Sequence, residues 1–455
     1  MKNIPIIFNT DGLRAEYNKW PLDKHTVKNI GFFLSRLLDA KSIVLCRDGR
    51  CSGQSIFSDL CSGMTKYGTT VLDAGLLPTP AMSVLVKKMK ADAGISISAS
   101  HNPSEYNGIK IFSSDGIKIA SKYEREIERL LFEDRTDITT SPVIEDAGKM
   151  CEDIYLDYLA GVARLPNGGV SDGLNVQDLK ISVDCANGAA SYIIEKFLKQ
   201  IDASVMVYSN APDGVNINKG CGSTCPENIC NIVRTDKADI GVALDGDADR
   251  AIFCDAKGNI VDGDFVLAML GLDMLKEGIL SCNTVVGTVM SNLGLEIALK
   301  ENGARLIRTA VGDKNVLDEM LKGNYVIGGE QSGHIIFLRC STAGDGIVTL
   351  IQVLKFMNKT GKTLEDLSSC MKKFPQILLN APVKNKVPLD KIELYKKALE
   401  DANRRLGKYG RIVVRYSGTE PLVRVMVEGD SDAKVKNVAQ SLLDAVLDGL
   451  NLKKI

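Results

Sequence analysis

Short apolar runs alternate with amphipathic, helix-like stretches through the first 140 residues of the chain. Residues 42–46, 69–74 and 93–98 are apolar runs typical of buried strands. A helical pattern follows the turn at 47–53 and continues through Tyr67, and residues 82–89 form another helical pattern. Strands that alternate with helices predict a mostly parallel sheet covered by helices. Ligands of such sheets bind beyond the carboxyl ends of the strands, where both the polar turn at 47–53 and Ser100 fall.

The same alternation restarts twice, with different residues at the turns. The second round has strands at 179–183, 204–208 and 240–244, with helices ending at Gln200 and spanning 227–235. The third round has helices at 265–276, 293–302 and 313–321 and strands at 284–288, 305–308 and 325–328. We therefore expect three similar α/β domains with mixed sheets.

The segment after about residue 370 changes in character. Prolines punctuate extended stretches at Pro375, Pro382 and Pro388, and the pattern then predicts a helix at 389–406, strands at 410–415 and 422–428, and a helix at 433–447. This is an α+β pattern. The predicted fold is three mixed-sheet α/β domains plus a C-terminal α+β domain around a central cleft, with boundaries at 1–148, 149–256, 257–368 and 369–455.

Composition excludes several classes of partner. The chain is 45% hydrophobic and 25% charged, and a formal net charge of −1 gives no field that would attract nucleic acid or an anionic membrane. We see neither a signal peptide nor an apolar stretch long enough to span a membrane. Twelve cysteines without a C-x-x-C pair, and only three histidines, argue against structural zinc. A cytoplasmic location is the simpler interpretation, and a homodimer is left open.

The stretch 94–112, GISISASHNPSEYNGIKIF, concentrates reactive groups. It holds a hydroxyl at Ser100, an imidazole at His101, turns at Asn102-Pro103 and Asn107-Gly108, and an amine at Lys110. A serine on a tight turn at a strand end is exposed enough to carry a covalent group, and a nearby lysine or histidine neutralises phosphate charge or moves protons. The alternative is a turn that only reverses the chain.

Three alternate aspartates, Asp245, Asp247 and Asp249, follow an apolar strand and precede Arg250. Three carboxylates in a small volume repel each other unless a cation lies among them, and hard oxygen ligands suit Mg²⁺ or Ca²⁺. The other interpretation is a solvated acidic turn. Magnesium beside a serine favours phosphoryl transfer.

Two further loops carry polar groups. In the glycine-rich turn at 328–334, Glu330 and Ser332 are able to bind paired hydroxyls, as in a sugar, although a glycine-rich turn with one glutamate is common. The loop between the last two predicted strands combines hydroxyls, glycine and flanking arginines: Arg415, Ser417, Gly418, Thr419 and Arg424. These donors suit a dianion such as phosphate, the alternative being a hairpin with surface arginines.

Together these stretches resemble the α-D-phosphohexomutase family, over nearly the whole chain and in the family's order. SASHNP with the following NGIK is similar to the phosphoserine loop, DGDADR to the metal loop, GEQSGH to the sugar-binding loop and RYSGTEPLVRV to the phosphate-binding loop. FNTDGLRA and CRDGRCSG resemble the family's FGTDGIRG and RDTRxSG segments.

The resemblance implies a mechanism and roles for individual residues. Ser100 would carry a phosphoryl group and, with Asp245, Asp247 and Asp249, bind Mg²⁺. Lys110 would be a general base or charge neutraliser beside His101, and Arg14 and Arg250 would screen the phosphoryl group. The remaining implied substrate residues are Gly312, Asp313, Gly329, Glu330, Ser332 and His334. The substrate phosphate would bind the Arg415–Arg424 loop, and a 1,6-bisphosphate would be the intermediate.

Within the family, the sequence is most similar to the branch that acts on hexosamine phosphates. Three features resemble that branch: Gln331, the segment Asn216-Ile217-Asn218 with the following CGST, and TDGLR. The implied substrate is a hexosamine 6-phosphate, the alternative being the glucose and mannose phosphates of the sister branch. The chain departs from the family pattern at Asn9, Ala15, Gly49, Cys225 and Lys314.

Overall fold

The computed structural model describes residues 5–133, 136–164, 174–417 and 421–450. The chain divides into two compact units, residues 1–288 with 307–370, and residues 289–306 with 371–455. The first unit contains the serine loop (residues 98–105) and the metal loop (residues 245–250). None of the helices in the described ranges combines the length and the apolar composition that a membrane crossing requires.

A seven-stranded mixed sheet forms the first part of the first unit. Its elements are β1 (Phe8–Asn9), β2 (Gly12–Glu16), α1 (Lys24–Leu38), β3 (Ser42–Arg47), α2 (Gly53–Tyr67), β4 (Thr70–Leu76), α3 (Ala81–Met89), β5 (Ala93–Ile97), β6 (Tyr106–Ser113), α4 (Ser121–Glu133), β7 (Ile144–Asp146) and α5 (Gly148–Arg164). The strand order is β1-β2-β6-β5-β3-β4-β7. β3 pairs in parallel with β4 and β5, but β6 is antiparallel to both β2 and β5. The sheet is therefore mixed rather than mostly parallel.

The predicted second turn at Asn107-Gly108 is wrong, because both residues lie inside β6. Gly108 allows the neighbouring strands to approach closely: a Cβ there would lie 2.4 Å from the Ser98 carbonyl oxygen and 2.6 Å from that of Leu13. Lys110 lies opposite Ser96 in this register, and Arg14 lies opposite Gly108. Residues from β2 and β6 are thereby brought to the serine loop.

A five-stranded sheet of order β12-β11-β10-β8-β9 follows. Its elements are β8 (Lys180–Asp184), α6 (Ile193–Gln200), β9 (Ser204–Tyr208), α7 (Pro226–Asp236), β10 (Ile240–Leu244), β11 (Ala251–Asp255) and β12 (Ile260–Val261). β10 is fully buried and forms an antiparallel hairpin with β11 in which Leu244 lies opposite Ala251. The six residues of the metal loop are the tip of this hairpin.

The next part of the chain contains a four-stranded sheet of order β14-β13-β15-β16 and the helices between and after its strands. In chain order they are α8 (Gly263–Lys276), β13 (Thr284–Thr288), α9 (Leu293–Glu301), β14 (Arg305–Thr309), α10 (Asp313–Gly323), β15 (Ile327–Gly329), β16 (Ile335–Phe337), α11 (Gly346–Thr360) and α12 (Leu364–Ser368). The turn of the β15–β16 hairpin carries Glu330.

The second unit has a three-stranded antiparallel sheet of order β17-β19-β18. Besides α9 and the first two residues of β14, its elements are β17 (Gln376–Pro382), α13 (Glu393–Leu406), β18 (Arg411–Tyr416), β19 (Leu422–Glu428) and α14 (Asp432–Gly449). Apolar residues of α14, among them Val438 and Leu442, pack with Val425 of β19 in its core. The helix predicted from residue 389 begins four residues later, because Ile392 has an extended backbone that separates α13 from a short 3-10 turn.

Candidate active site

The Ser100 hydroxyl faces the metal loop. Its Oγ donates to Asp245 Oδ2 at 2.5 Å, although the two residues are 145 positions apart. Ser100 is completely buried, so the expectation of an exposed turn serine is wrong. The reason is the metal-loop backbone: a Cβ on Gly246 would lie only 2.6 Å from the Ser100 carbonyl oxygen, which means that the two loops pack directly on each other.

The metal loop gathers three buried carboxylates. Asp245, Asp247 and Asp249 each present an oxygen within 4.8 Å of the others. Within the described part of the chain, Oδ1 of Asp247 and Oδ1 of Asp249 are buried without a hydrogen-bond partner. Burial, together with Asp249 and Asp247, holds the pKa of Asp245 well above its ordinary value. Unpaired buried carboxylate oxygens that repel one another are the environment that a hard divalent cation relieves, so the donor set fits such an ion.

Cationic side chains of the first unit surround this cluster. The Lys110 ammonium lies 2.7 Å from Asp247, 3.3 Å from Asp249 and 3.2 Å from Asp11. Burial alone would lower the pKa of Lys110, but these carboxylates hold it well above its ordinary value. Arg250 Nε lies 3.8 Å from Asp249 Oδ1. A buried ammonium among three carboxylates is arranged to neutralise charge.

Two histidines lie beside the cluster in opposite electrostatic environments. His101 Nδ1 is 3.2 Å from Ser100 Oγ, and burial with the nearby Arg250 and Arg14 lowers the His101 pKa to about 4. His334 Nδ1 is 3.6 Å from Asp249 Oδ2. Burial opposes protonation of His334, but the carboxylates led by Asp249 raise its pKa to about 9. His101 is therefore neutral and His334 cationic at neutral pH.

The predicted sugar loop joins the same site. Glu330 Oε1 accepts from the Gly312 amide at 2.9 Å, and Glu330 Oε2 accepts from Ser332 Oγ at 3.3 Å. A Cβ on Gly329 would lie 2.4 Å from the His334 carbonyl oxygen, so the hairpin backbone closes tightly at that position. The Ala251 amide donates to the Gly333 carbonyl oxygen at 3.1 Å. The sugar loop is thus bonded directly to the strand that follows the metal loop.

Several residues at this site were not singled out by their sequence pattern. Thr79 Oγ1 donates to Asp247 Oδ2 at 2.6 Å, and Lys118 contacts both Asp11 and Asp313. Asp11, which also contacts Arg14, lies in the quoted FNTDGLRA segment, and Thr79 follows a strand whose carboxyl end faces the site, so both carried a signal. Lys118 carried no signal, because its partners become neighbours only through folding.

In the second unit, the strands β18 and β19 place two arginines side by side. Arg415 lies directly opposite Arg424, and burial followed by the charge of Arg424 lowers the pKa of Arg415. Ser417 follows β18 and is buried, and its carbonyl oxygen accepts from Lys386 Nζ at 2.6 Å. Gly418 and Thr419 lie outside the described residues. Two like charges directly opposite each other are unfavourable, so this pair suits an anion.

Three departures from the family pattern lie in well-defined local surroundings. A Cβ on Gly49 would lie 2.8 Å from Pro212 Cβ and 3.0 Å from the Asn187 carbonyl oxygen, so a larger residue would require the backbone to shift. Lys314 donates to Ser121 Oγ at 2.7 Å, at the start of α4. Cys225 is the N-cap residue of α7 and makes no side-chain cap bond.

The chain is similar to known proteins in four consecutive parts, each of which contains one of the loops described above. Models of the phosphoglucomutase/phosphomannomutase family match in four parts: α/β/α domain I over residues 5–137, domain II over 153–258, domain III over 262–374, and the C-terminal domain over 378–445. The chain is 41% identical to the phosphoglucosamine mutase of Syntrophotalea carbinolica over 97% of each chain.

Solved structures share the fold. A phosphoglucomutase/phosphomannomutase family protein from Burkholderia thailandensis has a TM-score of 0.80 at 22% identity, covering 97% of each chain. Aspergillus fumigatus N-acetylphosphoglucosamine mutase, in complex with GlcNAc-6P and magnesium, has a TM-score of 0.66 at 18% identity, covering 97% of this chain and 95% of that one. By these matches over nearly its whole length, the chain belongs to the phosphoglucomutase/phosphomannomutase family.

Proposed function

We propose that this protein is a phosphoglucosamine mutase, which interconverts glucosamine 6-phosphate and glucosamine 1-phosphate. The relative of that name, similar over nearly the full length, supports the substrate class. The observation that carries the proposal is the 2.5 Å contact of Ser100 Oγ with Asp245. It places a hydroxyl that can carry a phosphoryl group against a buried acidic cluster, the arrangement that phosphoryl transfer requires.

The acidic cluster would hold a magnesium ion. Asp245, Asp247 and Asp249, together with the Ser100 oxygen or its phosphoryl group, would supply the oxygen ligands, and the structural neighbour crystallised with magnesium supports this choice of metal. When bound, the ion supplies positive charge that stabilises the oxygens of a transferring phosphoryl group.

The reaction uses Ser100 twice. The C1 hydroxyl oxygen of glucosamine 6-phosphate attacks the phosphorus of phosphorylated Ser100, so that the O1–P bond forms as the P–Oγ bond breaks. The C1 hydroxyl loses its proton and Ser100 Oγ gains one. The resulting 1,6-bisphosphate reorients in the site, and Ser100 Oγ then attacks the phosphorus on O6. The Oγ–P bond forms as the O6–P bond breaks, Ser100 Oγ loses its proton and O6 gains one. This second transfer releases glucosamine 1-phosphate and restores the phosphoserine.

The residues around Ser100 stabilise charge during these transfers. Lys110, fixed by Asp247 and Asp249, is assigned the role of charge neutraliser rather than base, because its three carboxylate neighbours keep it protonated. Arg14 and Arg250 each have a buried Nε without a hydrogen-bond partner in the described ranges, which leaves a donor for the phosphoryl oxygens. Neutral His101, 3.2 Å from Ser100 Oγ, is placed to exchange a proton with that oxygen.

Substrate recognition is assigned to two separate places. Glu330 and Ser332 would bind sugar hydroxyls. The other residues assigned to the sugar site are Gly312, Asp313, Gly329 and His334. In the second unit, the opposed pair Arg415 and Arg424 with Ser417 would bind phosphate. Gly418 and Thr419 belong to the same proposed phosphate site.

A mutase assay with the 6-phosphates of glucosamine, glucose and mannose tests this function. We expect turnover to be fastest with glucosamine 6-phosphate. Faster turnover of glucose or mannose 6-phosphate would assign the chain to the sister branch. Release of inorganic phosphate without isomerisation would indicate a phosphatase, and binding without turnover would indicate a sugar-phosphate sensor.

A further inference from the structure

One buried guanidinium binds the backbone of the serine loop at several points. Arg50 lies in the turn between β3 and α2, and its side chain is fully buried. One terminal nitrogen donates to the carbonyl oxygens of Ser100 at 2.9 Å and Asn102 at 2.8 Å. The other donates to the carbonyl oxygen of Tyr106 at 2.9 Å and also to that of Pro103. The planar, rigid fork of arginine makes this possible, and an ammonium could not reproduce it.

Asp48 holds this guanidinium in place. Its Oδ2 accepts from Arg50 Nε at 2.8 Å, and its Oδ1 accepts from the Arg50 amide at 3.1 Å. The same carboxylate accepts from Ser98 Oγ at 2.6 Å, and Ser98 Oγ accepts from the Ser100 amide at 2.9 Å. Asp48 therefore fixes both the cation and the start of the loop, and its charge allows Arg50 to be buried.

A second donor reaches the same two carbonyl groups from the connection between β9 and α7. Asn218 Nδ2 donates to the Ser100 carbonyl oxygen at 2.9 Å and to the Asn102 carbonyl oxygen at 3.2 Å. Asn218 belongs to the Asn216-Ile217-Asn218 segment, to which the proposed reaction assigns no role. Arg50 and Asn218 thus bind the carbonyl groups on both sides of His101.

These contacts hold Ser100 in an unfavourable backbone conformation. Ser100 has φ 52°, in the left-handed region that is unfavourable for residues other than glycine. In this conformation the hydroxyl lies 2.5 Å from Asp245. A strained residue persists only where its surroundings fix its geometry. The hydrogen bonds from Arg50 and Asn218 fix the geometry of Ser100 in this way.

We propose that Arg50 is a positioning residue for Ser100: through the loop carbonyl groups it holds the left-handed turn that directs the hydroxyl to the acidic cluster. The predicted effect of Arg50 on turnover rests on the proposed mutase function, whereas its predicted effect on the loop does not. A merely structural role for the Arg50–Asp48 ion pair would instead affect the whole sheet.

The variant Arg50→Lys keeps a buried cation beside Asp48 but loses the fork. The matched control is Arg47→Lys. Arg47 is the last residue of β3, just before the turn that carries Arg50, and it pairs with Asp73 at 2.7 Å and stacks on Phe57. We expect amide hydrogen exchange of residues 99–106 to be at least about tenfold faster in Arg50→Lys, with exchange in β3 and β5 unchanged. We expect kcat to fall about a hundredfold, since small misplacements have effects of that size, and KM to stay within about threefold. Arg47→Lys should change neither loop exchange nor kcat.

Each outcome of these measurements either supports or overturns the positioning role of Arg50. Unchanged loop exchange in Arg50→Lys would overturn it, as would exchange rising equally across the sheet with activity following the folded fraction. If the wild-type protein turns over none of the three sugar phosphates, the proposed function fails while loop exchange still decides the role of Arg50. If Arg50→Lys does not fold, Asn218→Ala removes only the second donor. Faster exchange confined to residues 99–106 in that variant supports positioning by these donors, and unchanged exchange overturns it.

Discussion

The Lys110 ammonium lies 2.7 Å from Asp247 Oδ2, and both side chains are buried. Lys110 belongs to β6 of the first sheet, whereas Asp247 is at the tip of the β10–β11 hairpin of the second sheet. Lys110 thus supplies a buried positive charge to a cluster of three carboxylates. Arg250 and His334 also lie against Asp249, so without Lys110 the burial of the cluster would depend on those two cations and on a bound metal ion.

Replacing Lys110 should therefore destabilise the metal-free protein more than the magnesium-saturated protein. For Lys110→Met we expect a loss of about 3–5 kcal/mol in the free energy of unfolding in EDTA, the cost of breaking a buried ion pair. With saturating Mg²⁺ the loss should be smaller, since the ion replaces part of the missing charge. Urea unfolding under both conditions measures the difference. The control Lys359→Met removes a cation that contacts Asp273 at 2.8 Å outside the cluster and should show no magnesium dependence. Equal losses for Lys110→Met in both conditions would contradict the prediction.

Ser100→Ala should abolish mutase turnover while the protein stays folded. Because Ser100 is buried and donates to Asp245, we expect a destabilisation of about 1–2 kcal/mol rather than none. Ser182→Ala is a matched control, since Ser182 is also buried and donates to Asp236 at 3.0 Å. It should show a similar stability change with full activity. Intact-mass measurement should detect one phosphoryl group on the wild type and none on Ser100→Ala. Near-normal turnover of Ser100→Ala would exclude the phosphoserine route.

Chelation should stop turnover, and Mg²⁺ should restore it, if the metal loop binds the ion. Asp247→Asn should weaken magnesium binding by at least about tenfold, because one charged ligand of a hard cation is lost. Titration calorimetry on the EDTA-treated protein measures this directly. Asp236→Asn is the control: Asp236 accepts only from the Ser182 and Tyr208 hydroxyls among the contacts observed, and an amide oxygen is able to replace it. Turnover that is insensitive to EDTA would remove the metal from the mechanism.

Sequence patterns predicted the strands that are continuous apolar runs, such as β10 and β13, which are buried along their whole length, but they missed β11 and β16. β8, β9, β10 and β13 lie within a residue of their predicted bounds. β6 was missed because its Asn107-Gly108 pair has the composition of a turn, and only the close approach of β2 and β5 explains a glycine there. Turn propensity is local, whereas the packing that overrides it involves strands distant in sequence.

The candidate site was predictable where chemistry is concentrated in one segment. The aspartates of the metal loop and Ser100 follow buried strands, and the structure brings them together. Arg50, Lys118 and Asn218 were given no role from the sequence, because the groups that they contact become their neighbours only through folding. The burial of Ser100 was likewise invisible, since it results from the packing of the metal loop on the serine loop.

Arg424→Gln should weaken binding of the substrate phosphate without unfolding the protein. Arg424 lies opposite Arg415, so the substitution removes one of two repelling charges. Losing a charged hydrogen bond to phosphate should raise KM by about ten- to a hundredfold, with a smaller change in kcat. Arg404→Gln serves as the control, because Arg404 is largely exposed on α13 of the same unit. An unchanged KM for Arg424→Gln would move the phosphate site elsewhere.

Stability should depend on pH through Asp345, which caps α11. Asp345 accepts from the Ile347 and Val348 amides and from the Tyr155 hydroxyl at 2.8 Å, but burial raises its pKa from 3.8 to about 6. A folded-state pKa above the unfolded value means that the folded protein binds the proton more tightly. The resulting stability is fully present below about pH 4 and is lost as pH rises through about 6, by roughly 3 kcal/mol at most.

Urea unfolding of the wild type and Asp345→Asn between pH 4 and 7 isolates this contribution. An amide keeps the cap but does not titrate, so we expect the wild type to lose stability relative to Asp345→Asn as the pH rises. Tyr155→Phe should shift the loss to higher pH, because the Tyr155 hydroxyl stabilises the ionised carboxylate and so lowers the Asp345 pKa. Parallel pH profiles for the wild type and Asp345→Asn would show that Asp345 keeps an ordinary pKa, and that its three hydrogen bonds outweigh its burial.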